Sequence, residues 1–246
     1  GVGEGIRTCG LKREEVFVTT KLDAFIKDYD GTQAAIEGSL ERLGLDYIDL
    51  MIIHAPQPWT AFREDDHYFE GNLAAWCAME KAYKAGRLRA IGVSNFQQVD
   101  IENLMQNGDV KPMVNQILAH VSNTPFPLID YCHKHDILVE AYSPMGHGEM
   151  MKNTLVQDMA KQYGVSVAQL CIRYCLQLNM LPLPKTANPK HMESNADVNF
   201  EISAQDMETL KNAERIKNYG EASLFPVYGG KLDEKGNYTP GDFFND

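Results

Sequence analysis

The chain has 246 residues, 44% hydrophobic and 23% charged, enough to bury a sizeable core, which excludes a disordered or fibrous protein. Asp plus Glu outnumber Lys plus Arg by 34 to 23, for a net charge of −11, and so acidic a surface argues against nucleic-acid backbones and anionic membranes as partners. No apolar run reaches the roughly 18–20 residues of a membrane span.

Residues 1–9, GVGEGIRTC, read as the end of a helix. The first strand is expected over Val16–Thr20, where β-branched residues concentrate. A helix follows over Thr32–Arg42, with Asp30 and Thr32 offering N-cap chemistry and Gly44 stopping it. The apolar run Tyr47–Ile53 predicts a strand covered on both faces. A helix over Leu73–Ala85 stops at Gly86, and Leu88–Ser94 is the next strand. Then come a helix over Val99–Gln106, a strand over Met113–Leu118, a helix over Leu128–His135 and a strand over Ile137–Tyr142. Helices over Asn153–Tyr163 and Val167–Leu178 precede a short strand, Leu181–Leu183. Helical patterns at Pro189–Asn195 and Ala204–Ile216 close the order, and the Gly-, Pro- and Asp-rich tail from Gly220 reads as loop.

Six strands, each followed by at least one helix, imply a parallel α/β sheet with right-handed crossovers, either open or closed into a barrel. Chemically able residues stand at the C-terminal ends of nearly all of them: Lys21, His54, Ser94 with Asn95, Gln116, Tyr142 with Ser143, and Lys185 with Thr186. A barrel gathers its strand ends into one catalytic ring, whereas an open sheet concentrates its ligand groups at one switch point. No strand–GxGxxG–helix fingerprint is present; GVGEG at residues 1–5 has the glycine spacing without a strand before it. The barrel is therefore favoured.

Five cysteines, an odd number with no CxxC, argue against a disulfide framework and for a reducing cytoplasm, and no secretory signal opens the chain. Cys171 and Cys175, four apart on a helix, read as buried small hydrophobes. His133 and His135 are two apart and do not face each other, so no metal site is expected.

The stretches VFVTTKL (16–22), LGLDYIDLMIIHAP (43–56), AGRLRAIGVSNF (85–96), VNQI (114–117), LVEAYSPMG (138–146) and LPLPKTANP (181–189), taken in order, resemble the aldo-keto reductases. The likeness to the prokaryotic-type, aldose-reductase-like members implies a single (β/α)8 TIM-barrel domain, of which residues 1–246 cover roughly the last six βα units. It further implies two units ahead of Gly1, roughly 60 residues at about 30 per unit, carrying a strand-end Asp and the proton-donating Tyr.

On that likeness Lys21 lowers the pKa of the Tyr through its adjacent charge, and His54, as a neutral imidazole, orients the substrate carbonyl. Ala55 departs from the family's usual HWP, which changes a pocket wall. Ser94, Asn95 and Gln116 are assigned to the nicotinamide carboxamide, whose primary amide needs both donors and acceptors. Asn115 points to the other face of an extended strand. Tyr142 stacks on the nicotinamide, and Ser143, Met145 and Gly146 lie under the pyrophosphate. Lys185 and Thr186 match the pair that binds the 2′-phosphate. His191 stands where Arg is usual, which removes a bidentate clamp, and Asn195 matches the adenine contact.

The resemblance thus implies a cytoplasmic oxidoreductase using NADPH, with NADH as the alternative, that reduces an aldehyde or ketone of a small-molecule substrate. It would be a monomer or a dimer. Its counterpart is a non-catalytic, cofactor-binding relative. Trp59, Phe62 and Tyr68 in the segment 56–72 offer apolar walls, with acids at the rim that favour neutral over anionic substrates.

Overall fold

The computed structural model describes residues 1–241. It divides into two compact units, the first from Gly1 to Asn115 and the second from Gln116 onward.

The first unit opens with helix α1 (Val2–Thr8) and reaches strand β1 (Thr19–Leu22) through a 3-10 turn at Arg13–Glu15. The strand starts three residues later than the pattern VFVTT suggests, because Val16 closes the turn and Phe17 is left exposed. Helix α2 (Tyr29–Leu43) follows. Its cap is Asp28, whose carboxylate accepts from the Gly31 N–H at 2.7 Å. The expected caps Asp30 and Thr32 lie inside the helix instead, and Thr32 donates its hydroxyl back to the Asp28 carbonyl at 2.7 Å. Gly44 ends α2 in the left-handed conformation, φ 66°, as expected of a residue without Cβ.

Strand β2 (Leu50–Ile53) is wholly buried. Helix α3 (Phe69–Lys84), strand β3 (Ile91–Ser94) and helix α4 (Gln98–Asn107) complete the pattern. Helix α3 begins four residues before the expected Leu73, since Tyr68 in a left-handed conformation turns the chain into it and accepts from the Asn72 N–H at 2.8 Å. Strands β1, β2 and β3 are parallel neighbours, with Lys21 beside Ile52 and Ile53 beside Val93. Gly92 is required at its place: a Cβ there would stand 2.7 Å from the Val114 carbonyl oxygen.

Strand β4 (Val114–Leu118) crosses the boundary between the units. In the second unit come α5 (Phe126–Lys134), β5 (Leu138–Tyr142), α6 (Thr154–Gln162), α7 (Val167–Gln177), β6 (Met180–Leu183), α8 (Pro189–Ala196) and α9 (Ala204–Lys211). Strands β5 and β6 pair in parallel, Tyr142 beside Leu183. Helix α9 stops short of the expected Ile216, whose N–H is drawn to the Ser122 carbonyl at 3.0 Å. The tail is more ordered than a plain loop: two 3-10 turns (Gly220–Leu224 and Pro226–Tyr228) precede a hairpin of β7 (Lys231–Leu232) and β8 (Tyr238–Thr239). Asp233 builds that hairpin turn by accepting from the N–H groups of Lys235 and Asn237. Cys171 and Cys175 are fully buried in α7, as their spacing suggested, and burial pushes the Cys171 thiol up to about 12.

Candidate active site

In the first unit the chemistry gathers at the C-terminal ends of β1, β2 and β3. Lys21 is an exposed residue of β1. His54 follows β2 directly and donates its backbone N–H to the Leu22 carbonyl at 3.1 Å, so the pairing of β1 with β2 carries on to the histidine. Its half-buried imidazole is held down at about 4, first by burial and then by the positive charge of Lys21, with Asp23 opposing. At any ordinary pH the ring is neutral and keeps one N–H to donate, the state a carbonyl oxygen gaining negative charge requires.

The Trp59 indole meets His54 edge-on, ring centroids 4.9 Å apart at 88°, and Phe62 stands 5.2 Å beyond Trp59. Ala55 is fully buried, and the indole that HWP would place there comes four residues later. Tyr68, in a left-handed conformation, is the N-cap residue of α3. Ser94, the buried last residue of β3, is followed by Asn95 in a left-handed conformation, φ 60°. The Asn95 amide donates to the His54 carbonyl at 3.0 Å and to the Ser94 hydroxyl at 3.1 Å. Asn115 takes the opposite face, as expected, and donates to the Phe96 carbonyl at 3.0 Å.

In the second unit Gln116 is buried on β4 and donates to the Glu140 carboxylate at 2.6 Å, which fixes which end of its amide is which. Tyr142, half-buried at the end of β5, packs against a cluster of Leu118, Tyr219, Ala222 and Tyr228. Ser143 (φ 52°) and Gly146 (φ 55°) both turn left-handed, and the Ser143 hydroxyl bonds the Tyr228 hydroxyl at 2.6 Å. Met145 between them is half-buried. His120 is buried behind Gly146, with Nε2 bonded to the Tyr219 hydroxyl at 2.9 Å and Nδ1 without a partner among the described residues. Lys185 and Thr186 follow β6; Lys185 is exposed, and the Thr186 hydroxyl accepts from the Asn188 N–H at 3.1 Å. His191 and Asn195 stand four apart on α8, which places them on one face; His191 is exposed.

Several residues of these surroundings escaped the sequence reading. Glu140, Tyr219 and Tyr228 lie inside ordinary strand or tail patterns and gave no signal. His120 did give one: like His54, it follows a buried apolar strand. Lys27 and Asn72 sit where only the folded chain shows their use.

The low-lying His54 and His120 have a consequence for stability. Burial holds His120 at about 4, well under the ordinary 6.5. Between these values the unfolded chain binds protons that the folded chain does not, so stability is complete above about 6.5 and is lost as the pH falls toward 4. Tm should drop by roughly 3–8 °C between pH 6.5 and 4.5, and His120→Asn, which cannot titrate, should flatten the slope. Calorimetry across that range checks it, and equal slopes for the two proteins would contradict it.

Parallel strands with helices between them and reactive groups at their C-terminal ends define an α/β enzyme pattern. The Aldo/keto reductase family model matches residues 2–215, and the chain belongs to that family of oxidoreductases. Its fold class is accordingly α/β, with six βα units of a (β/α)8 barrel among the described residues. Glyoxal reductase of Bacillus subtilis is 40% identical over 229 residues, 92% of this chain and 79% of that relative. An aldo-keto reductase from a Medee basin deep-sea metagenome library superimposes with a TM-score of 0.79 at 34% identity, covering 87% of this chain and 76% of its own. A Bombyx mori aldo-keto reductase in complex with NADP gives a TM-score of 0.77 at 31% identity, with 92% and 79% covered. No helix of the described residues is long and apolar enough to cross a membrane.

Proposed function

We propose that this chain serves an NADPH-dependent reduction of aldehydes or ketones to alcohols, in a cytoplasmic setting that suits five cysteines of which none forms a disulfide among the described residues. The observation that carries the reading is the pair at the ends of β1 and β2: a neutral His54 within the field of the Lys21 ammonium. His54 would donate to the substrate oxygen and fix its direction. Lys21 would hold down the pKa of the proton-donating Tyr that the family places ahead of Gly1, easing transfer of its proton to that oxygen.

The residues present fit the cofactor by the chemistry of their donors. When bound, NADPH supplies the hydride to the carbonyl carbon. In the first unit Ser94 and Asn95 offer hydroxyl and amide groups for a carboxamide. In the second, Gln116 offers another amide and Tyr142 a half-buried ring. There too the left-handed turns at Ser143 and Gly146 would hold a pyrophosphate with their backbone, and Lys185 would bring an exposed cation to the 2′-phosphate with Thr186 beside it. With His191 in place of Arg the 2′-phosphate would lose a bidentate partner, which supports NADH as an accepted second cofactor.

The test is loss of nicotinamide absorbance with NADPH and a panel of neutral carbonyls headed by glyoxal, the compound in the name of the Bacillus relative, together with cofactor titration by fluorescence quenching. Turnover with at least one member is expected. Tight NADPH binding without turnover would favour a non-catalytic, cofactor-binding role, and no binding would remove both.

A further inference from the structure

Three successive carbonyls leave strand β2 at the candidate active site, and each accepts from a different side chain. The His54 carbonyl takes Asn95 Nδ2 at 3.0 Å, the Ala55 carbonyl takes Lys27 Nζ at 2.8 Å, and the Pro56 carbonyl takes Asn72 Nδ2 at 2.8 Å. Two of these donors are joined, because Lys27 also donates to Asn72 Oδ1 at 2.8 Å. Asn72 is almost fully buried and donates a second time, to the His67 carbonyl at 3.0 Å. His67 in turn meets the buried Asp100 at 2.6 Å. The approach of Lys27 depends on Gly71, where a Cβ would lie 2.9 Å from Lys27 Cβ and from its carbonyl oxygen.

A half-buried lysine is a costly way to satisfy a carbonyl that water could serve. Desolvation brings Lys27 down to about 7, even with Asp100 and Asp23 facing it. What the arrangement provides is rigidity at one place: the residues directly after His54, on the path to the Trp59 turn. A strand end held only by its ladder would fray at this point, and the imidazole would swing with it.

We propose that Lys27 and Asn72 are positioning residues, a backbone clamp on Ala55 and Pro56 that fixes the direction of the His54 imidazole. The clamp rests on the reading of His54 as the group that orients the substrate. It acts on His54 through the main chain of Ala55 and Pro56. Its loss should therefore lower kcat and leave cofactor affinity unchanged, and a small displacement of an orienting group is enough for an effect of about 10- to 100-fold.

Two variants test this in the full-length protein. Lys27→Met removes the ammonium at similar length. Asn72→Leu keeps the size, removes both N–H donors and adds no charge that would itself move the His54 midpoint. For each, kcat, KM and NADPH affinity are measured on folded protein, and the His54 ring is titrated by NMR. In both, kcat should fall about 10- to 100-fold with KM within about threefold. The His54 midpoint should rise from about 4 by more than one pH unit as the loosened ring gains water. Lys27 is not among the charges that set the His54 value, so removal of its charge does not account for that rise. The NMR readout needs no turnover, so it judges the clamp even if the catalytic reading fails. An unchanged His54 midpoint with unchanged kcat, whatever happens to Tm, would overturn the proposal.

Discussion

Replacing Lys21 by Met, or His54 by Asn, in an active form of the protein should cost two to four powers of ten in kcat for carbonyl reduction while NADPH still binds. The size is that expected of a positioned proton-transfer group and the charge that tunes it. The two losses should differ in form. Without Lys21 the proton donor returns toward its ordinary pKa of about 10 and becomes a weaker acid, so the residual rate should be low across neutral pH and its alkaline fall should move to higher pH. Without the His54 imidazole the substrate oxygen loses a directed donor at every pH, so the loss should be uniform. The two should also fall short of additivity, because both serve the same proton transfer. The structure supplies an independent check: the Lys21 charge helps hold the imidazole down, so Lys21→Met should raise the His54 midpoint in an NMR titration. Steady-state kinetics over pH 5–9 decide the question, and a variant within tenfold of the unaltered protein would remove that residue from the mechanism.

How much of this was visible beforehand differs from element to element. Strands β2 and β3 were legible because both faces are buried and their sequences are accordingly continuous apolar runs. The parallel order followed from alternation alone. The residues at or just after each strand end were legible because a strand stops where its chemistry turns polar, which is how Lys21, within the end of β1, and His54 and Asn95, just past β2 and β3, stood out. Helix starts were less so. The true caps of α2 and α3 are Asp28, two residues before the more conspicuous Asp30, and Tyr68, whose left-handed conformation no side-chain propensity announces. The partners around the candidate site were least visible. Lys27 lies 28 residues from the carbonyl it holds and Glu140 lies 24 from Gln116, and such pairings exist only once strands and helices have been placed beside one another.

The largest expected loss of stability is at the opposite ends of the same two strands. Asp49, just before β2, is 2% exposed. One carboxylate oxygen accepts from Arg13 at 2.7 Å and from the Val18 N–H at 2.9 Å, and the other accepts from Arg89 at 3.2 Å. Arg13 continues the knot by donating to the carbonyls of Val16 and Tyr47 and by lying 4.0 Å over the Tyr47 ring. Removing one partner of a buried ion pair typically costs about 3–5 kcal/mol, because the other is left charged and unpaired. Here the abandoned arginines reach water, Arg89 with 58% of its side chain exposed, so about 2–4 kcal/mol is the fitting expectation for Asp49→Ala. Arg13→Met should cost about 1–2 kcal/mol, since the Val18 N–H keeps its acceptor. Arg89→Ala should cost under about 1 kcal/mol, as for other exposed pairs. Urea unfolding measures the series, and equal losses at Asp49 and Arg89 would refute this ranking. The rate per folded molecule should hardly change in any of the three. Strands β1 and β2 run parallel away from this knot, and Lys21 and His54 stand at their far ends, so the change removes an anchor without moving the chemistry. That separation of roles between the two ends of the strands is what a βα-barrel provides.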